Sequence, residues 1–193
     1  MRILLAPILL ALASCGALEP VKDTTENHLL DPAIPERAVT GSRPALAIAR
    51  PSLPGYLDRQ QLVSRAADGR ILMNSQHLWA EPLDTGISRV TAANLGRLEN
   101  SLNIQPVGSF VTMDYDILLE IRIARFEPDP TGGLVLECTW KIQPVSGTVA
   151  NPQPFRTVVH TGGVLPATGP QGERIAAMNE ALARLARQIA KAL

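Results

Sequence analysis

Two long runs of strictly alternating character sit in the middle of the chain, and they constrain the fold more than any other feature. In Tyr115–Phe126, the residues Tyr115, Ile117, Leu119, Ile121 and Ile123 alternate with Asp116, Leu118, Glu120, Arg122 and Ala124. In Gly133–Gln143, the residues Leu134, Leu136, Cys138, Trp140 and Ile142 alternate with Val135, Glu137, Thr139 and Lys141. A period of two puts successive side chains on opposite faces, so each run is a strand with one face turned to a core. The Pro128-Asp129-Pro130-Thr131-Gly132-Gly133 stretch between them is a turn, because its prolines and glycines suit a reversal and oppose a continued ladder. The pair is therefore expected to be an antiparallel hairpin, extended to a meander by Phe155–Gly162.

Helical spacing appears twice. Ile87, Val90, Leu95, Leu98 and Leu102 recur every three to five residues, which predicts a helix over about 85–102 with Asp84 as its N-cap. Asn94, Arg89, Arg97 and Glu99 fall mostly off its apolar face. Ile175, Met178, Leu182, Leu185, Ile189 and Leu193 form a second stripe after Gly169-Pro170, with Arg184, Arg187 and Lys191 near the end where the helix dipole favours cations. Shorter strands are expected at Leu46–Arg50, at Gln61–Ala66 and Arg70–Asn74 around Asp68-Gly69, and at His77–Ala80. The resulting class is α+β: a mostly antiparallel sheet with two amphipathic helices on one face.

The charge balance excludes several functions. With 18 Lys+Arg against 18 Asp+Glu and 4% aromatics, the 193 residues carry neither a basic footprint nor stacking platforms for nucleic acid. No apolar run reaches the roughly 20 residues that span a bilayer. Two cysteines and three scattered histidines predict no metal site, and no cofactor motif is present. His77, Cys138 and Glu81 are the one candidate thiol set. Cys138 alternates inward with Leu136 and Trp140, where burial makes a thiol inert, so no catalytic residue is assigned and no enzyme is expected. Asp114, Asp116 and His160 read as solvated or structural side chains.

The amino terminus carries a separate signal. Arg2, the apolar run Ile3–Ala13 and the small residues after it have the build of an export signal over residues 1–14. Leu12-Ala13-Ser14-Cys15 resembles the lipobox of bacterial lipoproteins, in which the cysteine is acylated, with palmitate among the usual chains, and becomes the first mature residue. In that reading Cys15 is the lipid attachment site, Cys138 has no disulfide partner, and the two or three chains of such lipoproteins give stable anchoring. Gly16, rather than Asp, follows the cysteine, which implies the outer membrane. Residues 15–44 then form the lipidated terminus and a tether bearing Pro20, Pro32, Pro35 and Pro44, with a reach of roughly 30 Å. Within it, Leu29–Pro32 is the one stretch suited to docking on the body. Residues 45–193 are the domain.

Two further motifs stand out: Leu53-Pro54-Gly55-Tyr56-Leu57-Asp58-Arg59-Gln60-Gln61-Leu62-Val63, and Trp79-Ala80-Glu81-Pro82-Leu83. Physically, both are corners that hold strands to the first helix, and Leu53, Pro54, Tyr56, Leu57, Asp58, Arg59, Trp79, Glu81 and Pro82 are candidate docking or structural residues. In this order behind a lipobox, they resemble the PqiC-type ABC-transport auxiliary lipoproteins over essentially the whole mature chain. Gln60, where that family often has Pro, is a mild departure.

The resemblance implies a non-enzymatic lipoprotein on the periplasmic face of the outer membrane. Its implied partners are an MCE-domain protein anchored in the inner membrane and that protein's integral-membrane or ABC transporter subunits. The assembly would move lipids between membranes and support envelope integrity. The alternative is a stand-alone lipid- or peptidoglycan-binding lipoprotein, which needs an apolar pocket that the polar outer face of the sheet does not predict. A homo-oligomer, paired through a sheet edge near Leu46 and the Leu53–Leu57 segment, is a further expectation.

Overall fold

The structure, a computed structural model, describes residues 23–109, 114–130, 133–146, 154–161 and 171–193. The expected export signal over 1–14, the lipobox-like stretch ending at Cys15, and residues 131–132 and 162–170 lie outside the described residues. The order of elements is β1 (Glu26–His28), β2 (Leu46–Ile48), β3 (Gln61–Arg65), β4 (Ile71–Trp79), α1 (Leu83–Glu99), β5 (Ile104–Pro106), β6 (Ile117–Pro128), β7 (Leu134–Pro144), β8 (Phe155–Thr161) and α2 (Gln171–Ala190).

The central prediction holds. β6 and β7 pair antiparallel from Ile117↔Pro144 to Pro128↔Leu134, and β8 continues the meander on the far side of β7. One irregularity changes the reading of parity. The register slips between Ile123 and Arg125, so Ala124 is an extra residue and the inward set jumps from Leu119, Ile121 and Ile123 to Phe126. A one-residue slip moves side chains to the opposite face, and strict alternation cannot anticipate it.

Instead of one sheet there are two. The larger runs β5-β2-β6-β7-β8 and the smaller runs β1-β4-β3. The long pairings are antiparallel, while β1 with β4, β2 with β5 and β2 with β6 are parallel pairings of three residues each. The runs expected as separate strands at Arg70–Asn74 and His77–Ala80 are one strand, β4. Its turn from β3 places Gly69 at φ +85°, a conformation that costs a side-chain-bearing residue energy.

β2 corrects a second expectation. Leu46, Ala47 and Ile48 are all buried between β5 and β6, so this strand is interior and offers no edge for self-pairing. Three consecutive apolar residues fit a strand covered on both faces, which alternation rules do not distinguish from an edge.

The helices pack on each other, and α2 lies across β6, β7 and β8. Ile175, Met178, Leu182, Leu185 and Ile189 are buried as a stripe, as their spacing predicts. Helix α1 begins at Leu83 with Pro82, not Asp84, at the N-cap, and it ends at Asn100 in the left-handed conformation. Pro suits the start of a helix because its missing N–H has no intrahelical partner there. Leu102 lies beyond the helix and is exposed. Asn94, placed off the apolar face by periodicity, is fully buried.

The partner of Asn94 explains that placement. Its Oδ1 accepts the backbone N–H of Ile34 at 3.0 Å, and Arg97 donates to the Ile34 carbonyl at 2.6 Å. Arg89 donates to the Leu30 carbonyl at 2.7 Å, and Asn179 of α2 accepts from the Asp31 N–H at 2.9 Å. Leu30 and Ile34 are themselves core residues. Residues 26–34 thus form a strap across both helices, so this part of the expected 15–44 tether is docked on the domain. This segment lacks apolar periodicity because side chains of other elements satisfy its backbone.

Candidate functional site

The two motifs singled out in the sequence meet. Asp58, Arg59 and Gln60 from the first and Trp79, Ala80, Glu81, Pro82 and Leu83 from the second line one cleft of about 230 Å³. The contact is made by backbone: the Trp79 N–H donates to the Gln60 carbonyl at 2.6 Å. Trp79 is buried beneath the cleft, while Asp58, Gln60, Ala80 and Pro82 are exposed at its rim. Leu57 is buried in the core with Leu53 packed against it, and the Leu57 N–H closes a turn on the Pro54 carbonyl. Arg59 bonds back to the Gly55 carbonyl at 3.2 Å and reaches the Met73 sulfur at 3.0 Å.

Glu81 anchors the helix side of the corner. Its Oε1 accepts from Arg89 Nη2 at 2.6 Å and Nε at 3.1 Å, and the same Nη2 holds the strap at Leu30. Gly86 lies beneath: a Cβ there would stand 3.1 Å from Glu81 Oε1 and 3.5 Å from a Leu30 methyl. The corner, the first helix and the strap are therefore one interlocked unit.

Tyr56 points to a group that the sequence reading missed. Its hydroxyl donates to Glu127 Oε2 at 2.8 Å. Glu127 is completely buried on β6, and its Oε1 accepts from Arg65 Nε and Arg125 Nε, each at 2.9 Å. The Phe126 N–H adds a bond to Oε2 at 2.9 Å, and Arg125 continues to Asp129 at 3.2 Å. Burial, then the Glu127 carboxylate, push the Tyr56 hydroxyl up to about 12, so it stays protonated and donates. The Glu127 bond raises the Arg65 guanidinium, and both guanidiniums remain charged. A buried carboxylate requires such partners, because an unpaired one would lose its hydration without compensation. The signal that could have found Glu127 is the Arg-x-Glu pair just beyond the bulge, where one acid between apolar neighbours ends a core strand.

The candidate thiol set does not assemble. Cys138 is buried in the five-stranded sheet, while His77 lies on the three-stranded sheet and Glu81 is paired with Arg89. Burial pushes the Cys138 thiol up to about 12, which leaves almost no thiolate near neutral pH. Asp116 pairs with Arg43 at the surface.

His77 instead meets His28. Parallel pairing of β1 with β4 sets Glu26 opposite His77 and His28 opposite Trp79, bringing together side chains that are 49 residues apart. His28 Nε2 lies 2.9 Å from His77 Nδ1, and Glu26 Oε2 stands 3.4 Å from His77 Nδ1 and 3.9 Å from His28 Nε2. Among the described residues this is the group whose donor atoms could hold a metal ion. Sequence distance conceals it, because β1 lies in the stretch that composition marks as tether.

A second groove, of about 220 Å³, opens between β3, β4 and α2, lined by Leu62, Met73, Trp79, Phe126 and Met178 among others. No helix among the described residues is long and apolar enough to cross a membrane.

Comparison with known proteins agrees with this architecture. A crystal structure of an uncharacterized protein superposes with a TM-score of 0.63 at 18% identity, covering 86% of this chain and 97% of the other. The crystal structure of a Xanthomonas campestris protein gives a TM-score of 0.59 at 18% identity, with 85% and 92% coverage. At such identities these likenesses establish the fold. No curated protein matches the chain. The family model for the ABC-type transport auxiliary lipoprotein component matches residues 28–190, from the strap through the last turn of α2. With that span covered, the chain belongs to the family of ABC-type transport auxiliary lipoprotein components.

Proposed function

We propose that this chain is a non-enzymatic accessory subunit of an MCE-type intermembrane lipid transport system. In this reading Cys15 carries the lipid that holds the protein on the periplasmic face of the outer membrane. The domain docks the tip of an MCE-domain protein anchored in the inner membrane, and the assembly supports envelope integrity. The observation that carries the reading is the family match over residues 28–190 directly behind a lipobox. The strap adds a geometric consequence. The eleven residues from Cys15 to Glu26 reach at most about 40 Å when fully extended, so the body stays near its membrane.

The 53–59 and 79–82 corner is the proposed docking surface. Its exposed rim of Asp58, Gln60, Ala80 and Pro82 stands on buried Leu57 and Trp79, so the rim is presented by a rigid base. The alternative of a stand-alone lipid-binding lipoprotein is less well served. Grooves of about 220–350 Å³ among the described residues carry charged side chains in their linings, Arg174 in one, Arg122 and Glu137 in another, and Arg50, Glu120 and Lys141 in a third, which suits an acyl chain poorly. Self-association would use β8, whose outer edge carries exposed Phe155 and Val158.

Crosslinking in cells followed by pull-down of the lipidated protein tests the proposal. The expected result is recovery of an MCE-domain partner, strongly reduced by Asp58→Lys. Cys15→Ser should leave the domain folded, release it from the membrane and fail to restore the envelope barrier. Recovery of bound lipid and no such partner would favour the solo binder.

A further inference from the structure

The structure assigns Glu26, His28 and His77 as the ligands of a zinc site that fastens strand β1 to β4. The argument starts from the pairing. In a parallel ladder, residues two apart on one strand share a face with the residue opposite, so Glu26, directly across from His77, and His28, across from Trp79, lie on the same face as His77. The result is two imidazoles and one carboxylate whose donor atoms are gathered together, at separations of 2.9, 3.4 and 3.9 Å.

Those spacings fit the ion. Zinc bonds of about 2.0–2.1 Å in a tetrahedral arrangement place neighbouring donor atoms about 3.3–3.4 Å apart, which the three distances bracket. A His₂-carboxylate set is suited to zinc and supplies three ligands, leaving the fourth position to water. Small rotations about the side-chain torsions would even out the three separations. In the metal-free geometry one imidazole donates its N–H to the other; zinc binding needs a lone pair on both of these nitrogens, so the donating ring takes the tautomer with its proton on the other nitrogen and both histidines bind as neutral ligands. The site is also accessible: both histidine side chains are mostly buried, while Glu26 stands 65% exposed at the mouth and can close over an arriving ion.

The site has mechanical meaning because β1 is only three residues long and lies at the edge of its sheet. Glu26 and His28 come from the strand and His77 from the domain, so the ion would cross-link the two. Zinc therefore acts on the start of the strap and protects it from peeling away.

The test is a titration of zinc alone into the untagged, chelator-stripped full chain carrying Cys15→Ser, which removes a competing thiol. One ion per chain should bind, with hydrogen exchange slowing at residues 24–30. Cobalt in place of zinc should give the intense visible absorption of a tetrahedral site. His77→Ala, and separately the conservative Glu26→Gln, should each weaken binding by at least about tenfold. His160→Ala, an exposed histidine elsewhere, should leave it unchanged. Circular dichroism confirms that each variant is folded, and Glu26→Gln decides the matter should His77→Ala unfold. Equal affinity in wild type and Glu26→Gln, absence of binding at micromolar zinc, or an octahedral cobalt spectrum would each overturn the assignment.

Discussion

The β6–β7 hairpin and the strap at residues 26–34 are held in opposite ways. The hairpin buries its own side chains: Leu119, Ile121, Ile123, Leu134, Leu136, Cys138 and Trp140 form a face that needs a cover but no external backbone partner. The strap contributes few apolar groups, chiefly Leu30 and Ile34, and its backbone is bonded by Arg89, Asn94, Arg97 and Asn179 of the two helices. One region carries its instructions in itself, the other in its neighbours. Sequence periodicity sees only the first kind.

That contrast can be broken most severely at Glu127, the polar group that the hairpin buries. Glu127→Ala leaves Arg65 and Arg125 facing each other without their carboxylate, and a loss of about 3–5 kcal/mol in urea unfolding is expected. A change below 1 kcal/mol would mean that the network is solvated in solution.

Leu30→Ala tests whether the strap belongs to the same cooperative unit. Its leucine is 1% exposed, and truncation at such a site costs about 2–4 kcal/mol in the global transition. If the strap instead opens by itself, the global midpoint stays put and only proteolysis between β1 and β2 accelerates. Asn94→Ala sharpens the same question with a smaller effect. It orphans the Ile34 N–H in the interior, for an expected loss of about 1–3 kcal/mol. At the other extreme, Val158→Thr on the exposed side of β8 should stay within about 0.5 kcal/mol.

The hairpin also predicts a pH dependence. Cys138, pushed up to about 12 by burial, and Tyr56, pushed up to about 12 by burial and Glu127, keep their protons in the folded state after the unfolded chain has lost them. The unfolded state then binds fewer protons, so stability is intact below about pH 8.5 and declines as pH rises from there toward 12. Denaturant midpoints measured from pH 8 to 10.5 should fall, with a shallower slope in Cys138→Ala.

Particular residues show where legibility ended. Ile175 to Ile189 announced a helix and its buried stripe, and Leu134 to Trp140 announced an inward face, because each pattern is a local consequence of backbone geometry. Asn94 was misplaced because amide burial depends on Ile34, sixty residues earlier. Leu46 reads as an edge from sequence because three apolar residues do not say how many strands flank them. For the candidate site, the sequence marked the motifs 53–59 and 79–82 but not their meeting in one cleft. It missed Glu127 behind Tyr56 entirely.

By itself, then, the sequence determined the α+β class, the central hairpin, the two helices, the inert burial of Cys138 and the family resemblance, since all of these follow from local periodicity or contiguous motifs. Only the tertiary structure decided the division into two sheets, the bulge at Ala124, the docking of the strap and the convergence of Glu26, His28 and His77. Those features are long-range pairings, and the free energy of a pairing belongs to both partners at once.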